Sequence, residues 1–418
     1  MVIPREFVRW SVLLGEALIA LGCGDSADSP TTQPAPEAGR LITATPSGEQ
    51  SATITNAQLA ALDSSLEVDR DVTAQRIVYW SPDVDGELTQ LSALVAYPSD
   101  ADDPLPLLGY QHGTLTVRDS APSAVTPGIT SITEHPEGGL ALIFAARGYV
   151  VVAADYIGLG VSETFHPYLH AQSEATAVID ALRAARELAS EQDIELSDQL
   201  FLTGLSQGGH ATMAAHRAIE QDDADEFTVT ASAPVAGPYQ LSETAVDGVL
   251  AENEAPHPYH VAYLLVSYNR IYEFTLNDGD LFANEIAETL PSMFDGEHEP
   301  DAIDLAMVPV DEPPPKRPDA SIAPSLLASF AAHDDHPLRV ALRENDVDDW
   351  SPVAPIHLYH CTGDEDVPFE ISENTLAKLL ANGADAELVE PPEAAGADHM
   401  GCFPASLTDI GEWFASLQ

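Results

Sequence analysis

Short apolar runs alternate with segments of helical periodicity along most of this 418-residue chain. The first two runs flank Asp85-Gly86, a turn sequence typical of a β-hairpin. The later runs end at turns that contain Gly or Pro, and their unbroken apolar character is typical of strands buried on both faces of a sheet. Strands that alternate with helices predict an α/β fold with a mostly parallel central sheet. The predicted strands are Arg76–Trp80, Leu91–Tyr97, Leu105–Tyr110, Tyr149–Ala154, Leu200–Thr203 and Thr228–Ala233, with helices at His170–Ala189 and Ser206–Glu220.

The alternation stops after the sixth strand and returns only near the end of the chain. The region between has no convincing central strand, and its length is sufficient for a separate layer. We therefore predict one α/β domain in two parts, residues 51–238 and 351–418, with a helical cap at 239–350 inserted between the sixth and seventh central strands. The helix-like segments of the cap are His260–Glu273, Leu281–Met293 and Ser321–Ala332. The returning elements are Pro355–Tyr359, Ile371–Ala381, Ala386–Val389 and Phe403–Leu417.

The first 23 residues have the pattern of an export signal, with two arginines followed by a short apolar run. The run ends in Ala20-Leu21-Gly22-Cys23, which is similar to the lipobox of bacterial lipoproteins and predicts a lipid anchor through Cys23. A plain secretory signal is the alternative. Residues 24–50 are rich in Ser, Thr, Pro and Gly and are predicted to form a flexible tether. The expected product is secreted, or is a lipoprotein of the periplasm or outer surface.

The chain is strongly acidic, with 16 Lys and Arg residues against 68 Asp and Glu residues and a formal net charge of −52. A polyanion repels phosphate backbones, so the composition argues against nucleic-acid binding. Exposed charges are screened over about 8 Å at physiological ionic strength, so salt would relieve the self-repulsion. This composition is typical of a saline or extracellular setting, and an acidic proteome without specific salt adaptation is the alternative.

Gly204-Leu205-Ser206-Gln207-Gly208 is the strongest indication of function. It joins a predicted buried strand to a predicted helix, and a serine on such a turn is held exposed at strained backbone angles. A serine hydroxyl is a weak nucleophile that needs an adjacent base. The same turn places the backbone N–H of Gln207 at a helix N-terminus, where it can stabilise an oxyanion.

A base and an orienting acid are expected near the carboxyl ends of later strands. Of the 14 histidines, His399 lies in a polar loop after the last predicted strand and before the closing helix. Asp364 begins the turn after strand 355–359, with Asp366 and, more weakly, Glu365 as competitors. The order Ser206, Asp364, His399 is the order of nucleophile, acid and base in α/β-hydrolases.

Residues 74–418 resemble an α/β-hydrolase of the lipase and esterase kind, close to bacterial relatives of the fungal secretory lipases. The stretches that carry the resemblance are Gln111-His112-Gly113-Thr114, Asp155-Tyr156-Ile157-Gly158-Leu159-Gly160, Gly204–His210 and His360…Asp364…Val367-Pro368. The family pattern His-Gly-x-x-Asp-x-x-Val-Pro aligns Asp364, rather than Asp366, with the acid. The fold implied is a mostly parallel sheet flanked by helices.

The resemblance has two further implications. Cys361 stands where the family has glycine, and a Cys361–Cys402 disulfide would explain the difference and tie the Asp364 turn to the His399 loop. The loop that begins at His112 would form the second half of the oxyanion hole, with the Thr114 N–H as donor and Leu115 as the substitute. Apart from the resemblance, the predicted serine chemistry needs no metal and no organic cofactor.

We therefore predict a serine carboxylic-ester hydrolase that acts on a small-molecule or lipid ester. Ser206, Asp364 and His399 are the predicted catalytic residues, and Gln207 and Thr114 the predicted oxyanion-hole donors. A peptidase or amidase of the same fold would use the same residues. A non-catalytic secreted or surface-anchored binding protein is the alternative from another class. Nothing in the sequence indicates an oligomeric state.

Overall fold

The computed structural model of the protein describes residues 36–44, 52–54, 70–100, 103–124, 136–243, 257–307 and 321–418. The predicted export signal and the predicted lipidation site Cys23 lie outside the described residues. In the described part of the chain, no helix combines the length and the apolar character that a membrane span requires.

In the part of the chain that the structure describes, ten strands form one sheet that is antiparallel at its amino-terminal side and parallel elsewhere. The order across the sheet is β1, β3, β4, β6, β5, β7, β8, β9, β10, and β2 also pairs with β3. The pairs from β6 through β5, β7, β8 and β9 to β10 are all parallel, so the predicted mostly parallel sheet is confirmed. The strands are β1 (Leu41–Ala44), β2 (Ala52–Ile54), β3 (Val72–Pro82), β4 (Leu88–Pro98), β5 (Leu105–Gln111), β6 (Val150–Ala154), β7 (Leu196–Leu205), β8 (Val229–Val235), β9 (Ile356–Tyr359) and β10 (Ala386–Val389).

Helices cover both faces of the sheet. Strand β6 illustrates this arrangement. Val150 and Val152 pack in one buried cluster with the helices at Ala171–Glu191 and Gln207–Asp222, whereas Val151 packs in another with the helices at Pro136–Ala146 and His399–Ser416. Such two-sided burial explains the unbroken apolar runs of the central strands. The helices, in chain order, are α1 (Pro136–Ala146), α2 (Ala171–Glu191), α3 (Gln207–Asp222), α4 (Tyr259–Tyr272), α5 (Pro300–Ala306), α6 (Pro324–Ala332), α7 (Pro337–Glu344), α8 (Phe369–Ala381) and α9 (His399–Ser416).

The segment between β8 and β9 contains helices α4 to α7 and has its own buried cluster. Tyr263, Tyr268, Leu281, Phe294 and Phe330 are among the members of this cluster. The helix expected at 281–293 is wrong, because this segment forms short 3-10 helices at Asp278–Leu281, Asn284–Glu288 and Leu290–Met293. Pro291 cannot donate the backbone hydrogen bond that a continuous helix would need there.

Two expectations at other element boundaries also need correction. Residues 41–44, assigned to the flexible tether 24–50, form β1 and pair with Ile77–Tyr79 of β3. Leu41 and Ala44 pack against the core, so this short run is stabilised by a neighbouring strand and not by its own composition. His399 is not in a loop before the closing helix but is the first residue of α9, which Asp398 caps through the Gly401 N–H at 2.8 Å.

Candidate active site

Ser206 occupies the sharp turn between β7 and α3. Its φ of 60° and ψ of −120° lie in a region that non-glycine residues rarely adopt. The turn is fixed on both sides, because the Ser206 N–H donates to Val235 O at 2.9 Å and the His210 N–H donates to Ser206 O at 3.1 Å. The Ser206 hydroxyl does not cap α3, and the side chain is partly exposed. The fold therefore holds this hydroxyl in a strained, accessible position, as a nucleophile requires.

Two glycines around Ser206 allow the turn to pass close to strand β5. A Cβ atom at Gly204 or at Gly208 would collide with the backbone carbonyl oxygen of Gln111. Gln111 is the last residue of β5 and precedes the loop that begins at His112. The two glycines thus bring the Ser206 turn and the His112 loop together.

Asp364 and His399 form a buried hydrogen-bonded pair. His399 Nδ1 lies 2.7 Å from Asp364 Oδ2, and His360 Nε2 lies 3.1 Å from the same oxygen. The other oxygen, Oδ1, accepts the backbone N–H groups of Asp366 and Val367, both at 2.9 Å. Burial acts to raise the pKa of Asp364, but the hydrogen bonds from the two histidines outweigh it, and the pKa lies well below its ordinary value. The carboxylate is therefore ionised and oriented toward His399.

The competing acids are placed differently. Glu365 is exposed, and Asp366 is partly exposed, with a pKa that burial raises and the charge of His399 lowers in part. Asp364, Asp366 and His399 each have one potential ligand atom within 4.8 Å of those of the other two. They are the one group of potential metal ligands among the described residues. Within the protein, the two Asp364 oxygens of this cluster already accept four hydrogen bonds.

Ser206, Asp364 and His399 each follow a strand whose carboxyl end lies at one edge of the sheet. They follow β7, β9 and β10 respectively, and these strands, with β8 between the first two, are parallel neighbours. The carboxyl ends of parallel strands share an edge, where open α/β sheets bind their ligands. The hydrogen bonds of the described residues include the one between His399 and Asp364 but none between Ser206 Oγ and His399 Nε2. The structure therefore joins the predicted acid and base, and the contact of Ser206 with His399 stays a prediction.

The two predicted oxyanion-hole donors are on segments that buried side chains contact. Gln207 is the first residue of α3, so its backbone N–H is at a helix N-terminus. Thr114 Oγ1 lies 2.9 Å from the Tyr168 hydroxyl. His112 braces the same loop with Nδ1 2.7 Å from Gly113 O. Burial lowers the pKa of His112 to about 4, so this ring is neutral at pH 7.

A buried polar network behind Gln207 was not expected from the sequence. The Gln207 side-chain amide donates to Glu174 Oε1 at 2.9 Å and to His166 Nε2 at 2.8 Å. His210 Nδ1 lies 2.7 Å from Glu174 Oε2, and its Nε2 lies 2.9 Å from Asn345 O. All four side chains of the network are buried. Glu174 lies on the apolar face of α2, and only its neighbours in space distinguish it from a solvated helix residue.

The disulfide implied by the resemblance is present. Cys361 and Cys402 are bonded, with their Cα atoms 5.7 Å apart, and both are fully buried. The bond joins the turn that carries Asp364 to the first turn of α9, which carries His399. It therefore restrains both members of the acid–base pair.

Comparison with known proteins identifies the fold. The structure of the esterase LipA from Xanthomonas oryzae, described as degrading rice cell wall, is 28% identical with a TM-score of 0.77, covering 91% of this chain and 98% of that one. A protein of Legionella pneumophila is 27% identical with a TM-score of 0.78, covering 90% of this chain and 98% of that one. The protein has the α/β-hydrolase fold.

Two further comparisons agree on the fold of the chain. Candida antarctica lipase A in its closed state is 18% identical with a TM-score of 0.64, covering 91% of this chain and 82% of that one. The family model of the prolyl oligopeptidase family matches residues 140–236. No curated protein sequence matches this chain.

The segment between β8 and β9 reaches the predicted oxyanion loop through aromatic residues. Tyr168 stacks on Tyr263 of α4 with ring centroids 4.6 Å apart, and Tyr263 stacks on Phe294 at 4.8 Å. The Tyr263 hydroxyl donates to Leu115 O at 3.3 Å. Burial, with smaller contributions from His257 and His399, lowers the pKa of His260 to about 3. The first turn of α4 thus lies close enough to His399 for an electrostatic interaction.

Proposed function

We propose that the protein is a serine carboxylic-ester hydrolase that forms an acyl-enzyme on Ser206. The observation that carries the proposal is the 2.7 Å hydrogen bond between His399 Nδ1 and Asp364 Oδ2. With Nδ1 donating to the carboxylate, Nε2 is unprotonated in the neutral ring and is available as a base. Ser206 on its strained turn is the nucleophile that this base would serve.

The reaction proceeds in two halves. Nε2 of His399 takes the Ser206 proton while Oγ attacks the acyl carbon, and the N–H groups of Gln207 and Thr114 bind the oxyanion. The imidazolium then protonates the leaving alcohol, and the ester is left on Ser206. A water molecule, deprotonated by His399, attacks the acyl-enzyme and releases the acid, and the proton returns to Ser206. Leu115 is the alternative second donor.

The expected substrate is a small-molecule or lipid ester. The similar structure of LipA is that of an esterase described as degrading rice cell wall, which supports ester chemistry in an extracellular setting. We propose that residues 239–350 act as the cap over this site, between core parts 51–238 and 351–418. The Tyr263 hydroxyl donates to Leu115 O, and the Tyr263 ring stacks on Tyr168, whose hydroxyl lies 2.9 Å from Thr114 Oγ1; these contacts support this role.

The proposal includes export. A signal at residues 1–23, a lipid on Cys23 and a tether beginning at residue 24 would hold the enzyme outside the cytoplasm. The Cys361–Cys402 disulfide supports an oxidising compartment. Comparison of the wild type and Cys23→Ser in membrane and soluble fractions tests the anchor. Release of the variant into the soluble fraction is the expected result, and equal partition contradicts the anchor.

The test of the function is hydrolysis of p-nitrophenyl esters by Ser206→Ala. We expect kcat/KM to fall by about four orders of magnitude or more. Ser351→Ala, at an exposed serine, serves as the control and should retain wild-type activity. Retained hydrolysis in Ser206→Ala contradicts the nucleophile assignment. Failure of the wild type to react with a fluorophosphonate would favour the non-catalytic binding protein instead.

A peptidase or amidase is the second candidate, because the prolyl oligopeptidase family model matches residues 140–236. This segment includes Ser206 but ends before Asp364 and His399, so the match covers the part of the core common to many α/β-hydrolases. Aminoacyl-nitroanilides tested beside p-nitrophenyl esters discriminate the two. Turnover of the anilide at or above the rate of the ester would favour the peptidase.

A further inference from the structure

A second histidine contacts the acid of the candidate active site. His360 directly follows β9, and its backbone N–H donates to Val389 O of β10 at 3.1 Å. Its side chain is fully buried. The Nε2 atom lies 3.1 Å from Asp364 Oδ2, the same oxygen that His399 contacts, and 3.1 Å from Val367 O. The proposed mechanism gives this ring no part in proton transfer.

The surroundings of His360 define its tautomer. Nε2 faces two acceptors, a carboxylate oxygen and a backbone carbonyl, so Nε2 carries a proton. Nδ1 lies 2.7 Å from the hydroxyl of Ser372 on α8. Ser372 is also fully buried. A hydroxyl can donate to Nδ1, and this donation keeps the proton of the neutral ring on Nε2, where it points at Asp364.

We propose that His360, oriented by Ser372, is a positioning residue that fixes the Asp364 carboxylate for His399; this inference rests on the proposed function. The hydrogen bonds run in one chain from Ser372 through His360 and Asp364 to His399. The N–H of His360 takes up part of the charge on Oδ2 and prevents rotation of the carboxylate. His360 does not contact the reacting atoms.

The location of the pair explains why a second support is needed. The Asp364 carboxylate is on a turn between β9 and α8. Among the contacts of the described residues, its Oδ1 accepts hydrogen bonds from backbone N–H groups of that same turn and from no other element. His360 links the carboxylate to Ser372 on α8, an element outside the turn. Buried polar groups that are fully hydrogen-bonded hold a defined geometry, whereas a lost partner leaves a costly unpaired group.

The test compares His360→Phe, His360→Gln and Ser372→Ala in the full-length protein. Phe keeps a ring of similar size without donors, whereas the Gln amide can donate to Asp364 from nearly the same place. We expect His360→Phe to lower kcat by about tenfold, the effect of one hydrogen bond to a charged group, and to change KM by less than about twofold. His360→Gln should recover most of this loss, and Ser372→Ala should show an intermediate loss.

The pH profile separates positioning from a purely structural role. Without the His360 donor, Asp364 concentrates its charge on His399 and favours the imidazolium. The acid limb of kcat/KM should therefore move to higher pH by about half a unit in His360→Phe. His357→Phe is the matched control, since His357 is on the same strand and stacks on Trp413 at 3.6 Å. The proposal is overturned if the pH profile of kcat/KM for His360→Phe superimposes on that of the wild type and the variant differs only in a smaller fraction of protein that reacts with a fluorophosphonate.

An NMR measurement makes this test independent of the proposed function. The proton between His399 Nδ1 and Asp364 gives a low-field resonance whether or not the protein hydrolyses esters. We expect this resonance to shift or broaden in His360→Phe and to return in His360→Gln. A wild type that does not hydrolyse esters would contradict the esterase proposal. An unchanged resonance of this proton in His360→Phe would contradict the positioning role of His360.

Discussion

Cys361 and Cys402 are bonded to each other, and each lies three residues from one member of the Asp364–His399 hydrogen bond. The same covalent link therefore closes the loop between β9 and α9 and restrains the acid and the base. Stability and catalysis are expected to depend on it together.

Removal of the disulfide by the double substitution Cys361→Ser and Cys402→Ser should lower both the stability and the catalytic activity of the protein. The cysteines are separated by 41 residues, and loss of the link frees a loop of this length in the unfolded chain. The chain-entropy model gives a loss of about 4 kcal/mol in the free energy of unfolding. Guanidinium unfolding of the variant and the wild type measures it. A change below about 1 kcal/mol would contradict the prediction.

Asp364→Asn and Asp366→Asn test which carboxylate serves His399. The neutral amide of Asp364→Asn would not hold the imidazolium, and we expect kcat/KM to fall by about four orders of magnitude. Asp366 makes no hydrogen bond to His399 among the described contacts, so its replacement should change kcat/KM by about threefold at most. Ester hydrolysis, corrected for the fraction that a fluorophosphonate labels, measures both variants. A larger effect at Asp366 would reassign the acid.

The sequence predicted the elements better than the contacts between them. The strands around Ser206 were predictable because two-sided burial produces continuous apolar runs, and the turn was predictable because glycines are required where the Gln111 carbonyl approaches. His360 and Glu174 were not predictable as supports. Their roles depend on Ser372 and Gln207, which lie on other elements and reach them only after folding.

Glu174 should tolerate loss of its charge but not loss of its side chain. In Glu174→Gln, the new carbonyl can accept from Gln207 and the new amide can donate to His210 Nδ1, because His210 Nε2 already faces the carbonyl of Asn345. We expect a change within about 1 kcal/mol in the free energy of unfolding. Glu174→Ala leaves Gln207 and His210 without this partner in a buried site. It should lower the free energy of unfolding by about 3 to 5 kcal/mol.

Chemical unfolding of both Glu174 variants at pH 7 distinguishes these outcomes. Equal destabilisation by Gln and Ala would mean that the charge, rather than the hydrogen-bonding geometry, holds Gln207. The esterase activity of Glu174→Gln should follow its folded fraction, because the Gln207 backbone N–H remains in place.

Asp155 should make stability decrease as the pH rises. Its side chain is fully buried after β6, and burial, opposed in part by hydrogen bonds from Ser123 and Ser92, raises its pKa to about 6. The folded state then holds a proton that the unfolded chain releases near pH 4, so the contribution is present below about pH 4 and is lost through about pH 6. The shift corresponds to about 3 kcal/mol. Chemical unfolding measures the free energy of unfolding of the wild type and of Asp155→Asn, and the difference between them should fall by this amount between pH 4 and pH 7. Asp85→Asn, in the exposed hairpin turn, is the control. The difference between the wild type and this control should change much less over the same range. A pH-independent difference between the wild type and Asp155→Asn would show that Asp155 is ionised in the folded protein throughout this range.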